Sequence, residues 1–391
     1  MDASANVLVV GASVASAALI AQLREDGFGG RVVVLDHDPD APYDRPPLSK
    51  DFLGGTSIRP EAPWWDGNCE LIRGQATGLD TAASAVEVAL ADGSTRTLVA
   101  DHIVAATGAA PIRLPGVPTG VAQLRTAADA RHIREATTAG QRVIVLGAGT
   151  IGTELASTLV AGGCSVSVVD QADRPLDRFL GGHLGAEAAA WIQDGGAELH
   201  LRSRVEQIAR TGGEWTVTTD SGQLTGDLVV SAIGVRPATQ WLQGSGVDIT
   251  DGIRCDSDGT ALDPDGTVIP HVHAIGDVAA WSTPTAGPRR SEDWTTAQRH
   301  GRHLARHLLG LEPLQPVDRE LRYFWSHQFG RRIQVLGTPV ADATLVQHVD
   351  EPARKSAFYT LERDSATVAW ISINAPKEFV LAMRKSVAVH G

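Results

Sequence analysis

Short apolar runs closed by glycine recur along the chain. Val7-Leu8-Val9-Val10 leads into Gly11, Ile103-Val104-Ala105-Ala106 into Gly108, Val143-Ile144-Val145-Leu146 into Gly147, Leu228-Val229-Val230 into Gly234, and Val272-His273-Ala274-Ile275 into Gly276. Runs without polar alternation predict strands buried on both faces, as in a parallel sheet. After Gly11 and after Gly147 comes a stretch of small apolar residues, read as a helix, and then another apolar strand, Arg31 to Leu35 and Ser165 to Val169. Two βαβ units predict an α/β fold with two Rossmann-like dinucleotide-binding domains. Period-2 stretches such as Ala85 to Leu90, Ile333 to Leu336 and Val368 to Ile373 predict antiparallel strands. With a helix near Lys377 to Val387, the last two of these suggest a small C-terminal α+β domain.

The glycine turns carry the first candidate chemistry. Gly147, Gly149 and Gly152 fill the three places of G-x-G-x-x-G, with Ile151 at the helix start. A pyrophosphate binds there because the free N–H groups and positive dipole end of the helix face the anion. Asp170 ends the next strand, 23 residues beyond Gly147 (170 minus 147), where a carboxylate accepts from a ribose 2′-OH and repels a 2′-phosphate. NADH is therefore expected over NADPH. At the first turn Gly11 is kept, but Ser13 and Ser16 replace the other two glycines around Ala15, and Asp36 follows 25 residues after Gly11 (36 minus 11).

Composition narrows the class. The 391 residues predict two or three domains, and a net charge of −12 argues against bulk binding to nucleic acid or anionic membrane. No apolar stretch approaches a membrane span, and no basic, apolar leader precedes the first strand, so a cytoplasmic protein is expected. One local exception to the acidic balance is Arg289 to His307, with Arg289, Arg290, Arg299, Arg302, Arg306, His300, His303 and His307 against Glu292 and Asp293. It reads either as a solvated helix face or as a docking patch for an acidic partner. Cys69, Cys164 and Cys255 are far apart, which excludes a C-x-x-C redox disulfide and a cysteine-rich metal or iron–sulfur site; no metal is expected.

The stretch Pro42-Tyr43-Asp44-Arg45-Pro46-Pro47-Leu48-Ser49-Lys50-Asp51-Phe52 resembles the FAD-dependent NADH:ferredoxin reductases of aromatic-ring dioxygenase and cytochrome P450 systems, the biphenyl dioxygenase and putidaredoxin type. So do Thr107-Gly108, Leu124-Arg125-Thr126, Glu154 after the second turn, Gly276-Asp277, Glu292-Asp293-Trp294 and Phe324-Trp325-Ser326-His327-Gln328. The resemblance implies a glutathione-reductase-like architecture without its redox disulfide. An FAD domain spans 1–112 and 236–312, an NAD domain 113–235 is inserted in it, and a C-terminal domain 313–391 covers the flavin. It implies FAD contacts at Gly11, Ser13, Ala15, Ser16, Asp36, His37, Arg45, Lys50, Arg125, Gly276, Asp277 and Trp294. NADH contacts are implied at Gly147, Gly149, Ile151, Gly152, Asp170 and Gly234.

The activity implied is hydride transfer from nicotinamide C4 to flavin N5, then single-electron transfers to a [2Fe-2S] ferredoxin; on the docking reading of the charge pattern, Arg289, Arg290, Arg299 and Arg302 would receive it. Lys50 would stabilise reduced flavin, Glu154 would pair with Lys50, and Trp325 would lie at the flavin edge. Three positions depart from the family pattern. His37 stands where an acid meets the adenosine ribose, His327 replaces an aspartate, and Ser13 with Ser16 replaces two glycines, so weaker FAD binding is expected. Two other readings stay open: an NADH oxidase or quinone-type reductase, and an FAD-binding interaction protein resembling apoptosis-inducing factor.

Overall fold

The structure is a computed structural model that describes residues 5–51, 69–283, 286–314 and 321–390, with the backbone alone for 286 and 386–390. Phe52 of the Pro42–Phe52 stretch lies outside the described residues. The chain groups into two compact units: Met1–Asp44, Arg59–Ala110 and Arg236–Glu320 form the first, and Arg45–Ile58, Pro111–Val235 and Leu321–Gly391 the second.

The first unit is built on one sheet. Its centre is parallel, in the order Val268–Ala274, His102–Ala105, Asn6–Val10, Arg31–Asp36 and Glu70–Asp80, with antiparallel strands on either flank. Val7, Val9, Val34, Ile103 and Val104 are fully buried, as strands covered on both faces must be. The helix Val14–Glu25 lies against the helix Trp294–Leu309, and a glycine permits it, since a Cβ on Gly301 would stand 2.3 Å from the Ala15 carbonyl oxygen. Trp294–Leu309 starts on Asp293, whose Oδ1 accepts the Thr296 N–H at 2.7 Å.

In the second unit a smaller parallel sheet runs Glu198–His200, Ser165–Val169, Arg142–Leu146, Leu228–Ser231 and Ala122–Gln123, and the strands Val205–Thr211, Glu214–Thr219 and Gly222–Gly226 form an antiparallel sheet of their own. The C-terminal residues form a five-stranded antiparallel sheet, ordered Tyr323–Gln328, Arg331–Gly337, Ala366–Ile373, Ser356–Arg363 and Thr344–Glu351, followed by the helix Pro376–His390. Its core, with Ile333, Leu361, Ala369 and Ile371 fully buried, also takes in Leu176, Leu180 and Leu184.

The expected basic patch is divided by its partners. Arg290 is 11 % exposed and pairs with Glu292 and Asp251, Arg306 pairs with Asp26 at 2.9 Å, and His303 bonds Asp258 at 2.8 Å. His300 is buried, stacked on Trp281 with ring centroids 3.9 Å apart. Arg299 is half-buried and donates to Thr296 Oγ1 at 3.2 Å; Arg289, Arg302 and His307 are exposed. A count of cations along the sequence misses carboxylates that arrive from residues 26, 251 and 258.

Candidate functional site

The two glycine turns repeat each other atom for atom. Gly11 N–H donates to the Leu35 carbonyl at 2.7 Å, and Gly147 N–H to the Val169 carbonyl at 2.7 Å. Both glycines have φ of +107°, and a Cβ would fall 2.5 Å from the Ala106 oxygen in one and 2.4 Å from the Ala232 oxygen in the other. Only glycine satisfies both conditions. Neither following helix has an acid in its first turn, so neither helix sets a carboxylate of its own against an anion at its start.

Beyond the first glycine the turns diverge. At Gly149 a Cβ would meet open space, so the backbone can be approached closely, and Ile151 beside it is 47 % exposed, an apolar face at the mouth of the turn. Gly152 is forced, because a Cβ there would stand 2.0 Å from the Gly147 oxygen. Asp170 closes the turn: its Oδ2 accepts the Ala148 N–H at 2.6 Å and its Oδ1 the Ala172 N–H at 2.8 Å. Gly234, at φ +110°, lies three residues past the end of the neighbouring strand Leu228–Ser231 (234 minus 231). This cradle fits a pyridine dinucleotide.

In the first turn Ser13 occupies the place of Gly149 and caps the helix. Its Oγ accepts the Ser16 N–H at 3.3 Å, while Ser16 Oγ lies 2.7 Å from the Ser13 nitrogen and 2.7 Å from its carbonyl oxygen. This capping box accommodates Ser16, which is fully buried with its hydroxyl satisfied by the turn itself. Since Leu35 corresponds to Val169, the counterpart of Asp170 is Asp36 and not His37, which is exposed. Asp36 meets Arg73 at 3.3 Å, and Arg73 also donates to the carbonyls of Asp38 and Asp40. Asp38, buried, accepts from Tyr43 Oη at 2.6 Å. Gly276 brings a second turn to the same helix start, where its Cβ would lie 3.2 Å from Ala15, with Asp277 following; Trp294 donates to Asp44 at 3.1 Å. These residues of the first unit fit the pyrophosphate and ribose of FAD.

Arg45, Lys50, Arg125, Glu154 and Trp325 belong to the second unit. Lys50 Nζ is 2.7 Å from Glu154 Oε2, in a pair 16 % and 2 % exposed. Glu154 also accepts from Ser49, and from Ser326 Oγ at 2.7 Å; neither serine stood out in the sequence. Trp325 stacks on Tyr323 with centroids 5.5 Å apart. His327 is exposed on the same face of that strand as Trp325, opposite Ser326; its pKa is lowered by partial burial and then by the Arg332 and Lys50 charges. Arg125 donates its backbone N–H to Asp129 at 3.0 Å. Burial pushes the Cys164 and Cys255 thiols up, away from thiolate chemistry.

Residues 5–301 match the pyridine nucleotide-disulphide oxidoreductase family, and residues 323–388 match the reductase C-terminal family. The chain belongs to the pyridine nucleotide-disulphide oxidoreductases. It is an FAD- and NAD-dependent oxidoreductase. It is 31 % identical over 389 residues to the benzene 1,2-dioxygenase system ferredoxin–NAD(+) reductase subunit of Pseudomonas putida, covering 97 % of this chain and 92 % of that one. Among solved structures it resembles Fdr9 at 34 % identity and TM-score 0.86, covering 99 % and 95 % of the two chains. It also resembles the ferredoxin reductase for the CYP199A2 system of Rhodopseudomonas palustris, at 28 % identity and TM-score 0.84, covering 95 % and 91 %. No helix among the described residues is long and apolar enough to cross a membrane.

Proposed function

We propose that the chain is the NADH-oxidising ferredoxin reductase of a multicomponent oxygenase, working in the cytoplasm. The observation that carries this reading is a pair of dinucleotide turns, each opened by a glycine that donates to the end of the following strand, in a chain whose three cysteines form no C-x-x-C pair. With no C-x-x-C pair to take it, an electron pair delivered by NADH leaves for an external acceptor, and relatives named as ferredoxin reductases point to a ferredoxin. The FAD supplies the two-electron to one-electron conversion when bound.

The residues divide the work. Gly147, Gly149, Ile151, Gly152 and Gly234 seat NADH, and Asp170 selects it against a 2′-phosphate. Gly11, Ser13, Ala15, Ser16, Asp36, Gly276, Asp277 and Trp294 seat FAD, with Arg45 and Arg125 as further ligands. Lys50, held by Glu154, supplies the positive charge that the reduced ring requires, and Trp325 shields it from water. The exposed Arg289 and Arg302 are the cations through which an acidic ferredoxin docks, whereas Arg290 is already engaged. The domains follow as FAD-binding 1–112 and 236–312, NAD-binding 113–235 and C-terminal 313–391.

The test is anaerobic reduction by NADH followed by ferredoxin-dependent cytochrome c reduction. A rate that rises with a [2Fe-2S] ferredoxin and falls with salt supports the reading. If no ferredoxin lifts turnover above the oxygen background, an NADH oxidase replaces it.

A further inference from the structure

We propose that Ser326 and Gln328 are positioning residues for the Lys50–Glu154 pair, a proposal that rests on the assignment of that pair to the flavin chemistry. The Glu154 carboxylate has three side-chain donors from distant parts of the sequence. Ser49 and Lys50 share Oε2, Lys50 at 2.7 Å, and Ser326 reaches Oε1 at 2.7 Å. Gln328 Nε2 donates to the Ser326 oxygen at 2.8 Å. A serine hydroxyl has one proton, so an oxygen that accepts from Gln328 turns that proton toward Glu154. Donation therefore runs in one direction, from Gln328 through Ser326 to the carboxylate.

Strand geometry supplies the placement. In Tyr323–Gln328 side chains alternate between faces, which buries Ser326 (0 % exposed) and Gln328 (5 %) and leaves His327 between them exposed. From the other side, Thr158, one turn past Glu154 on the helix Thr150–Ala161, donates to the Ser49 carbonyl at 2.8 Å, and Lys50 Nζ donates to the Pro46 carbonyl at 3.0 Å. The turn carrying Lys50 is thus tied to the same helix that carries Glu154.

The choice of lysine fits. The chain has four lysines, Lys50, Lys355, Lys377 and Lys385, among 34 basic residues, and the other three are exposed. An arginine fork would take both carboxylate oxygens, whereas an ammonium takes one and leaves Oε1 for Ser326. Removing the Ser326 hydroxyl leaves Oε1 without a donor in a dry site, and the carboxylate turns further onto Ser49 and Lys50, so the ammonium loses its single position.

The experiment uses the holoenzyme and the flavin-stripped chain of Ser326→Ala, Ser326→Thr and Gln328→Leu. In stopped-flow reduction by NADH, Ser326→Ala is expected to lower the limiting rate about tenfold while the half-saturating NADH concentration stays within about twofold. Trace acetylation read by peptide mass spectrometry should label Lys50 at a changed rate relative to Lys355, Lys377 and Lys385 in the stripped chain. Ser326→Thr, which keeps the hydroxyl, should restore both, and Gln328→Leu should reproduce part of the effect should the alanine variant fold poorly. Unchanged Lys50 labelling, or threonine behaving as alanine does, overturns the proposal. A labelling change without a rate change keeps the positioning role and overturns the assignment of the pair to the flavin chemistry.

Discussion

The two glycine turns share a backbone and differ in what fills them. In the second, glycines leave the mouth open, and Asp170 comes from the next strand to accept the Ala148 N–H. In the first, Ser13 and Ser16 satisfy the helix start from within, and Asp36, the counterpart of Asp170, faces Arg73. The same fold thus makes one turn ready for a ligand that comes and goes and another already capped without one. On the assignment proposed above, FAD fits around Ser13, whereas NADH meets bare backbone. What separates two sites of one design is therefore side-chain occupancy of a fixed loop.

Breaking the open turn gives the largest effect. Gly152→Ala places a Cβ 2.0 Å from the Gly147 oxygen, and NADH-dependent flavin reduction should fall about 100-fold, close to 2.7 kcal/mol, with flavin content unchanged. Stopped-flow bleaching alongside flavin released on denaturation checks both halves. Next comes selectivity: kcat/KM for NADH should exceed that for NADPH by at least about tenfold, or about 1.4 kcal/mol, and Asp170→Ala should narrow the ratio. Equal preference in the parent chain removes Asp170 from its role. A smaller change opens the capped turn. Ser13→Gly costs only a few tenths of a kcal/mol as an N-cap and gives the turn the open mouth of its sister, so FAD titrated into the stripped chain should bind several-fold tighter. No gain would mean that the serines accommodate the pyrophosphate as they stand.

Acid should sharpen the contrast least. His273, 1 % exposed, shares a hydrogen bond of 3.1 Å with His102 beside the strand that feeds Gly11, and burial lowers both pKa values. The unfolded chain protonates near the ordinary value of about 6.5 while the folded pair resists. Stability is therefore full above that pH and is lost as pH falls from there toward the depressed folded value. The urea midpoint should drop between pH 7.5 and 5.5, and His273→Gln should flatten the dependence.

Much of this was legible in the sequence, for reasons that are local. Gly11 and Gly147 announce turns because a Cβ would strike the neighbouring strand, and the apolar runs announce parallel strands because both faces are covered. Lys50 and Glu154 were paired by resemblance, and they meet at 2.7 Å. The roles of Ser49, Ser326, Gln328 and Arg73 were not legible, since an ordinary polar residue acquires meaning only when its partner arrives beside it, from 172 residues away for Ser326 (326 minus 154) and 37 for Arg73 (73 minus 36). The partners within the Arg289 to His307 stretch were hidden for the same reason: the carboxylates that engage Arg290 and Arg306 include Asp251 and Asp26.

The most direct test of the two-turn account is a crossed pair, Ser13→Asp and Gly149→Asp, read for flavin content and for NADH affinity. Aspartate is a good N-cap, and a side chain at Gly149 meets open space, so both variants should fold while each sets a negative charge at one pyrophosphate position. The account predicts that Ser13→Asp loses flavin and still binds NADH, and that Gly149→Asp keeps flavin and loses NADH. Loss of both ligands in either variant, or full flavin in Ser13→Asp, would contradict it.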